Sequence, residues 1–259
     1  TLNASDGYYL LNVSLSDGIG TSGNATVNFT IDTALPTISE LKSNDTDNIT
    51  RNNAILNFTV TASDTNLFNV SLNGTLMAPV GGNVFRLTSN ASDLGCVNEG
   101  SCLLTARALD LAGNANTFSY NLVIDNIAPA LSNFKAKNDT DNITRSNNVL
   151  NFTLTSSDAN GFSLAVLNGT AMDSGTGEFY LTTTPAGLNC TNGQCLLSAT
   201  VNDKADNQNT ILYVLTVDDL NPNIALNSPQ NMANISGTLN ITVSVNDLIA
   251  NISSVTAIQ

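Results

Sequence analysis

A near-identical stretch of nine polar residues occurs twice in this chain of 259 residues. The segment SNDTDNITR covers residues 43–51, and KNDTDNITR covers residues 137–145. Self-comparison at offsets of 93 to 95 residues extends the match, since ILNFTVTASD from Ile55 aligns with VLNFTLTSSD from Val149. The polar stretch is therefore a loop within a module that the chain contains twice.

Both ends of the chain carry parts of the same module. The segment YLLNVSLSD, residues 9–17, resembles CLLTARALD, residues 102–110, and LNITVSVND, residues 239–247, resembles the segment from Ile55. Two explanations stay open: the chain is a window cut from a longer tandem array, or the tail strands of one subunit complete the head of the next by strand exchange. The predicted domains are residues 1–33, the C-terminal part of a preceding module; 34–126 and 127–219, two complete modules; and 220–259, the N-terminal part of a following module.

Apolar and polar residues alternate within a module. Leu56, Phe58 and Val60 face one way, while Asn57 and Thr59 face the other. Similar short strands are predicted at FNVSLNGTL, VFRLT, CLLTARALD and TFSYNLVID, separated by clusters of Gly, Asn, Asp and Ser. About seven such strands in a module predict an all-β fold of tandem immunoglobulin-like β-sandwich domains. The segments IDNIAP and VDDLNP would be short linkers that proline stiffens.

Short motifs after these strands resemble a known family. DLAGN, residues 110–114, is followed by a strand that ends in VID and then by APALSNF. This order resembles the D-x-A-G-N and D-x-x-A-P signature of tandem bacterial and archaeal Ig-like (Big-type) repeats of cell-surface proteins, most like modules of archaeal surface filaments and giant adhesins. The second module reads DKADN at residues 203–207, so only its Asp and Asn positions match. Residues 226–247 are similar to the opening strands of Ig-like modules in archaeal cell-surface proteins.

Composition argues against several classes of function. Eight Lys and Arg residues stand against 21 Asp and Glu residues, a formal net charge of −13, which disfavours binding to nucleic acid or to anionic membranes. Histidine is absent, so the commonest general base is missing, and we predict that the chain is not an enzyme. No apolar run reaches the ~20 residues of a membrane span. The first residues lack signal-peptide features, so we expect export and anchoring segments to lie outside this chain.

The four cysteines form two close pairs, Cys96 with Cys102 and Cys190 with Cys195. Zinc requires four converging ligands, and neither pair has a histidine or a second cysteine pair nearby in sequence. We therefore predict a local disulfide in each module, with free thiols or a bridge between chains as the alternatives. Disulfides persist in oxidising compartments, which predicts an extracellular, cell-surface location.

Asn-x-Ser/Thr sequons occur eighteen times. An Asn- and Thr-rich β protein produces several of them by chance. In the NFT segments at Asn57 and Asn151, however, the Asn and Thr project from the same polar face of a strand, so a glycan would point into solvent. We predict dense modification with N-linked glycans, which would also compensate for the scarce surface charge. The candidate acceptors are Asn3, Asn12, Asn24, Asn28, Asn44, Asn48, Asn57, Asn69, Asn73, Asn90, Asn138, Asn142, Asn151, Asn168, Asn189, Asn234, Asn240 and Asn251.

Aspartates at strand ends are candidate calcium ligands. In an Ig-like sandwich the B–C loop, the F–G loop and the start of strand A share one end, where the last strand of the preceding module arrives. Carboxylates that converge there repel one another unless a cation or backbone N–H groups neutralise them. We predict Ca²⁺ at the module junctions; the alternative is that these residues only form turn hydrogen bonds. The predicted sets are Asp32, Asp64 and Asp110; Asp125, Asp158 and Asp203, with Asp206 nearby; and Asp218, Asp219 and Asp247.

Two other sites are disfavoured. The NDTDN loop lacks the Gly and the closing Glu of an EF-hand, so a turn or a glycan is expected there rather than a metal. A Lys–Asn isopeptide bond from Lys42 or Lys135 is not predicted, because these lysines do not occupy an obviously equivalent strand position with a fixed catalytic acid.

Taken together, these features predict a structural component of an extracellular cell-surface filament or fibre, built from serial glycosylated Ig-like domains. Its partners would be copies of itself in a filament or array. Two alternatives stay open: the extender stalk of a surface adhesin whose binding tip lies outside these residues, and a carbohydrate-binding module array of a secreted enzyme. The last is disfavoured because sugar-binding sandwiches present a strip of exposed aromatic side chains, and this chain has only nine Phe, five Tyr and no Trp.

Overall fold

The computed structural model describes residues 4–20, 22–175 and 177–256, and over these ranges the fold is all-β. The candidate glycosylation site Asn3 lies outside the described residues. The chain divides into two compact units, with the boundary between Asn126 and Ile127. None of the described residues belongs to a helix that is long and apolar enough to cross a membrane.

The first unit contains a hairpin followed by a two-sheet sandwich. The hairpin pairs Gly7–Ser16 (β1) with Ser22–Ile31 (β2) in antiparallel register. The strands of the sandwich are Thr37–Lys42 (β3), Ile49–Thr50 (β4), Ile55–Ser63 (β5), Leu67–Leu72 (β6), Thr75–Leu76 (β7), Ala78–Gly81 (β8), Val84–Asn90 (β9), Gly100–Asp110 (β10) and Ala115–Ile124 (β11). One sheet has the order β3-β5-β9-β8 and the other β4-β11-β10-β6-β7.

The second unit contains a sandwich with the same strand order, followed by a hairpin. Its strands are Ala130–Ala136 (β12), Ile143–Thr144 (β13), Leu150–Ser157 (β14), Phe162–Leu167 (β15), Thr170–Ala171 (β16), Asp173–Ser174 (β17), Glu178–Thr183 (β18), Gly193–Asp203 (β19), Gln208–Val217 (β20), Asn223–Ser228 (β21) and Thr242–Asn246 (β22). The sheets are β12-β14-β18-β17 and β13-β20-β19-β15-β16, and β21 pairs with β22. The prediction of tandem immunoglobulin-like β-sandwich domains is confirmed.

Each sandwich has its own apolar core, which follows from the period-two pattern. Strand β5 buries Leu56, Phe58 and Val60 and leaves Asn57 exposed. Phe58 and its counterpart Phe152 are both fully buried. Truncation of such a side chain to alanine typically costs about 3–5 kcal/mol, so these positions are central to the stability of each module.

Several short elements were missed from the sequence. The predicted strand FNVSLNGTL is interrupted by a turn at Asn73 and Gly74, whose φ angles of 45° and 87° suit a tight hairpin. The predicted strand included Thr75–Leu76 (β7), but the two-residue strand β4 was not predicted, nor were the 3-10 helices Ser92–Leu94 and Ala186–Leu188 that precede the cysteine pairs. Elements of two or three residues carry too few side chains to show a periodic pattern.

The chain enters each sandwich beside the start of its last strand. The Asn116 side chain, at the start of β11, donates a hydrogen bond to the Pro36 carbonyl at 3.0 Å, and Asn209, at the start of β20, does the same to Pro129 at 2.8 Å. The last strand then runs for ten residues, about 30 Å, before the chain leaves. Entry and exit therefore lie at opposite ends of each module.

Candidate calcium site and glycosylation positions

Three aspartates meet where the first hairpin joins the first sandwich. Asp32 follows β2, Asp64 follows β5 and Asp110 is the last residue of β10. Each offers a carboxylate oxygen, and these oxygens all lie within 4.8 Å of one another. Asp110 is buried, with 2 % of its surface exposed, while the other two are half-buried. The hairpin and both sheets of the sandwich thus bring one carboxylate each to the same point.

Two asparagine side chains orient these carboxylates. The Asn66 backbone N–H donates to Asp64 Oδ1 at 2.7 Å, and its side-chain amide donates to Asp32 Oδ2 at 2.9 Å. Asn114 donates to Asp110 from its backbone N–H and from its side chain, both at 2.8 Å. The same Asn114 amide donates to the Asp32 carbonyl at 2.9 Å, so it joins the incoming segment to the β10–β11 turn.

The hydrogen bonds hold Asp110 in its charged form. Burial raises the pKa of this carboxyl, but hydrogen bonds from the side chain and backbone of Asn114, and from the backbones of Gly113 and Ala112, outweigh burial and lower the pKa below its ordinary value of 3.8. Asp110 is therefore ionised at neutral pH beside two further carboxylates. The three carboxylates repel one another, and a bound cation would neutralise this repulsion.

The dimensions of the cluster suit Ca²⁺. Calcium–oxygen distances are about 2.3–2.6 Å, so two ligand oxygens of one ion lie at most about 5 Å apart, and the three oxygens meet that limit. Each carboxylate oxygen has a second lone pair beyond the hydrogen bonds described above. Asp32 and Asp64 also line a surface pocket, through which an ion could enter from solvent.

The residues of the second predicted set belong to different units. Asp125 follows β11 in the first unit, is buried, and donates its backbone N–H to the Thr50 carbonyl at 2.9 Å. In the second unit, Asp158 Oδ1 accepts the backbone N–H of Asn160 at 2.8 Å. Asp203 is fully buried, and Asn207 donates to it from its backbone at 2.8 Å and from its side chain at 2.9 Å, as Asn114 does to Asp110.

The aspartates of the third predicted set do not form such a group among the described residues. Asp218 Oδ1 accepts the Leu220 N–H at 3.1 Å, whereas Asp219 Oδ1 accepts the Ser146 N–H at 2.9 Å. Asp247 Oδ1 accepts the N–H groups of Ile249 and Ala250, both at 2.9 Å. Asp218 and Asp247 thus make turn hydrogen bonds, whereas Asp219 bonds a residue 73 positions earlier in the chain, and calcium at this set stays a prediction.

Both cysteine pairs form disulfides. Cys96 and Cys102 are joined with a Cα–Cα distance of 5.6 Å, and Cys190 and Cys195 with 5.5 Å. In each pair the first cysteine is buried and follows a 3-10 helix, while the second lies in β10 or β19. The bridge therefore fastens an irregular loop to a central strand of the sandwich.

None of the sequon asparagines among the described residues is buried. Asn12, Asn24 and Asn28 are exposed on the first hairpin, and Asn57 is exposed on β5. On β5, the Asn57 side-chain oxygen accepts a hydrogen bond from Thr88 at 2.6 Å. The surface thus leaves room for glycans at these positions.

Other sequon asparagines have structural roles that the sequence did not reveal. Asn73 Oδ1 accepts the Thr105 N–H at 2.7 Å, and its amide donates to the Leu94 carbonyl at 2.8 Å. Asn168 makes the equivalent bonds in the second sandwich, with Ser198 at 2.8 Å and with Leu188 at 3.2 Å. These bonds connect each Asn-Gly turn to β10 or β19 and to a 3-10 helix, and glycosylation of both NGT sequons stays a prediction.

The polar loops also use their sequon asparagines internally. Asn44 Oδ1 accepts the Asn57 N–H at 2.7 Å, and Asn138 Oδ1 accepts the Asn151 N–H at 2.8 Å. The side chain of the second loop asparagine, Asn48 or Asn142, accepts a hydrogen bond from a tyrosine hydroxyl of β11 or β20. The repeated NDTDNIT segment is thereby fixed to both sheets.

No known family model matches this chain, and no curated protein matches it. Among solved structures, the chain is similar to the fibronectin(III)-like modules of CbhA from Clostridium thermocellum, with 15 % identity, a TM-score of 0.41, and coverage of 70 % of this chain and 94 % of the other. It is also similar to a Ca²⁺-stabilised adhesin of an Antarctic ice-binding bacterium (16 %, TM-score 0.41, 86 % of this chain and 60 % of the other). A tetra-tandem repeat from the extending region of a large adhesion protein is similar as well (19 %, TM-score 0.33, 93 % and 70 %). At these identities and TM-scores the similarity concerns the fold alone and says nothing about activity, ligands or partners.

Proposed function

We propose that this chain is a structural part of an extracellular cell-surface filament or fibre, in which glycosylated Ig-like modules follow one another in series. Copies of the same chain are its partners in the array. The chain carries tension and sets spacing, and it performs no catalysis.

The opposite placement of chain entry and exit in each module is the observation that supports this proposal. Parallel pairing of β4 with β11 is further support for the proposal. Here the Val123 N–H donates to the Asn48 carbonyl at 2.8 Å, and the Asp125 N–H donates to the Thr50 carbonyl at 2.9 Å. A pull on the two ends of the module loads these parallel hydrogen bonds together instead of opening them one by one. The second module has the same pairing between β13 and β20.

Fixing the entering segment to the sandwich would stiffen such an array. Asp32 is bonded to the side chains of both Asn66 and Asn114, which lie in two different loops of the first sandwich. Calcium at Asp32, Asp64 and Asp110 would add a tighter connection at the same place.

Glycans would cover the exposed strand faces of the array. The chain has few charged side chains for a surface protein, 11 % of all residues, so N-linked sugars would supply much of its hydration. Disulfides in both modules agree with an extracytoplasmic location.

Cryo-electron microscopy of native cell-surface material, with the chain located by a specific antibody, tests the proposal. We expect modules repeated along a filament, with extra density at exposed sequons such as Asn57. A chain found in an intracellular or soluble enzyme complex would contradict the proposal.

An adhesin extender stalk is the second candidate, because entry and exit at opposite ends serve a stalk equally well. The same images separate the two: a stalk ends in a distinct globular tip, whereas a filament shows subunits related by a helical operator.

A further inference from the structure

The repeated NDTDN loop contains a buried carboxylate oxygen that no donor reaches. Asp45 Oδ2 is inaccessible to solvent and has no hydrogen-bond partner, and Asp139 Oδ2 in the second module is in the same state. These two residues are equivalent in the repeat. Buried acceptors without a donor are costly and uncommon in native proteins, so their recurrence in both modules requires an explanation.

The loop brings a second carboxylate to this oxygen. The Asp47 N–H donates to Asp45 Oδ1 at 3.3 Å, and the Ile49 N–H donates to Asp47 Oδ1 at 3.2 Å, so two consecutive turns form the loop. The two carboxyl groups lie within hydrogen-bonding reach of each other. In the second module, Asp141 takes the same position beside Asp139.

Two ionised carboxylates are both acceptors, so they repel each other and cannot bond. A single proton removes the conflict. A neutral Asp45 carboxylic acid donates its O–H to the Asp47 carboxylate, and the buried oxygen then has a partner. The proton comes from solvent, and no other reactant is required.

We propose that each NDTDN loop is a proton-binding site, in which Asp45 with Asp47, and Asp139 with Asp141, share one proton and thereby fasten the loop that precedes β4 or β13. Proton binding stabilises each module as the pH falls. This pH dependence is a property in addition to the proposed role in a surface filament.

The electrostatics agree with this assignment of donor and acceptor. Burial raises the pKa of both Asp45 and Asp139, and the neighbouring carboxyl raises each further. The pKa of Asp141 is lowered, first by the Ile143 N–H and then by the hydrogen bond with the Asp139 side chain. The first aspartate of the pair thus holds the proton and the second accepts its hydrogen bond.

Side chains of the surrounding strands also border the loop. From β11, the Tyr120 hydroxyl contacts Ser43 Oγ at 3.0 Å and bonds Asn48. From β20, Tyr213 has its pKa raised, first by burial and also by the charges of Asp139 and Asp141. In the same region of the second module, Lys137 pairs with Glu178 of β18 at 3.1 Å.

Thermal unfolding of the full chain between pH 2.5 and 7, in EDTA, tests the proposal. A raised pKa in the folded state gives stability that is fully present below the ordinary value of 3.8 and is lost as the pH rises through the folded value. The double variant Asp45→Asn/Asp139→Asn places a neutral N–H donor where the acid O–H would be. We expect this component of the pH dependence to disappear and the melting temperature at pH 7 to rise by roughly 3 °C.

The control Asp93→Asn/Asp173→Asn removes one exposed charge from each sandwich and should leave the shape of the pH curve unchanged. In parallel, a carboxyl ¹³C NMR titration of the unmodified chain reads the Asp45 and Asp139 protonation directly. Unchanged pH dependence in the double variant, or ordinary titration of both residues, would overturn the proposal. So would stabilisation by added Ca²⁺ that the Asp45→Asn/Asp139→Asn variant abolishes, since a metal would then occupy the loop.

Discussion

At the scale of single residues, asparagine has three different roles in this chain that a sequon pattern cannot separate. Asn57 presents its side chain on an exposed strand face, Asn73 bonds two backbone segments, and Asn48 accepts from a tyrosine. The alternation of polar and apolar residues predicted the exposure of Asn57. The roles of Asn73 and Asn48 depend on partners more than twenty residues away, which no local pattern reveals.

Replacement of Asn73 by alanine should destabilise the first module by about 2–3 kcal/mol. Two hydrogen bonds, to Thr105 and Leu94, contribute about 1 kcal/mol each, and alanine also tolerates the φ of 45° poorly, at a cost of about 1 kcal/mol. Urea unfolding measures the loss of stability.

Asn83→Ala is the matched control for this prediction. Asn83 is exposed and has a similar φ of 64°, so its replacement keeps only the backbone cost. Equal losses for the two variants would show that the bonds of the Asn73 side chain contribute nothing.

At the scale of elements, the long strands could be predicted from the sequence, but their short connections could not. Strand β5 shows a clear period of two, and its predicted inward residues are buried. Strand β3 instead contains an irregularity between Ser39 and Lys42, where Glu40 has a φ of 58°. A glutamate at a position that favours glycine gives no sequence signal of a bulge.

Removal of one disulfide should lower stability moderately. The Cys96→Ser/Cys102→Ser variant opens a loop with a sequence separation of only six residues, so the entropic loss is about 2 kcal/mol. Denaturant unfolding without reductant measures it, and the intact Cys190–Cys195 bridge in the second module is the internal reference. A variant as stable as the unmodified chain would show that the bridge does not constrain the unfolded state.

Calcium should bind where the first hairpin meets its sandwich. We expect isothermal titration to detect Ca²⁺ binding, and Asp32→Asn/Asp64→Asn to reduce the stoichiometry by one, because two of three converging carboxylates are lost. At a free concentration 100 times the dissociation constant, binding would add about 2.7 kcal/mol to the stability of the site. Asp93→Asn, remote from the cluster in sequence and exposed, should change neither value; equal binding by all three proteins would refute the site.

At the scale of the whole molecule, the repeat predicted the fold class because two copies of one pattern specify the same sandwich twice. The same argument located Asp32, Asp64 and Asp110, since the fold dictates which strand ends share one end of a sandwich. The paired carboxyls of the NDTDN loops were not foreseen. In each loop one carboxylate oxygen is buried without a donor, and a run of polar residues gives no sign of such burial.

Single-molecule force spectroscopy of the full chain tests the central claim, that each module is built to resist tension between its ends. We expect two high-force unfolding events in the unmodified chain, one for each sandwich. Val123→Pro removes an N–H that bonds β4 and should leave only one such event, while Asn121→Pro, on the same strand but outside the β4 pairing, should leave two. Urea unfolding checks that both variants still fold. Two high-force events in a folded Val123→Pro variant would contradict the account, because the parallel strand pair would then carry no load.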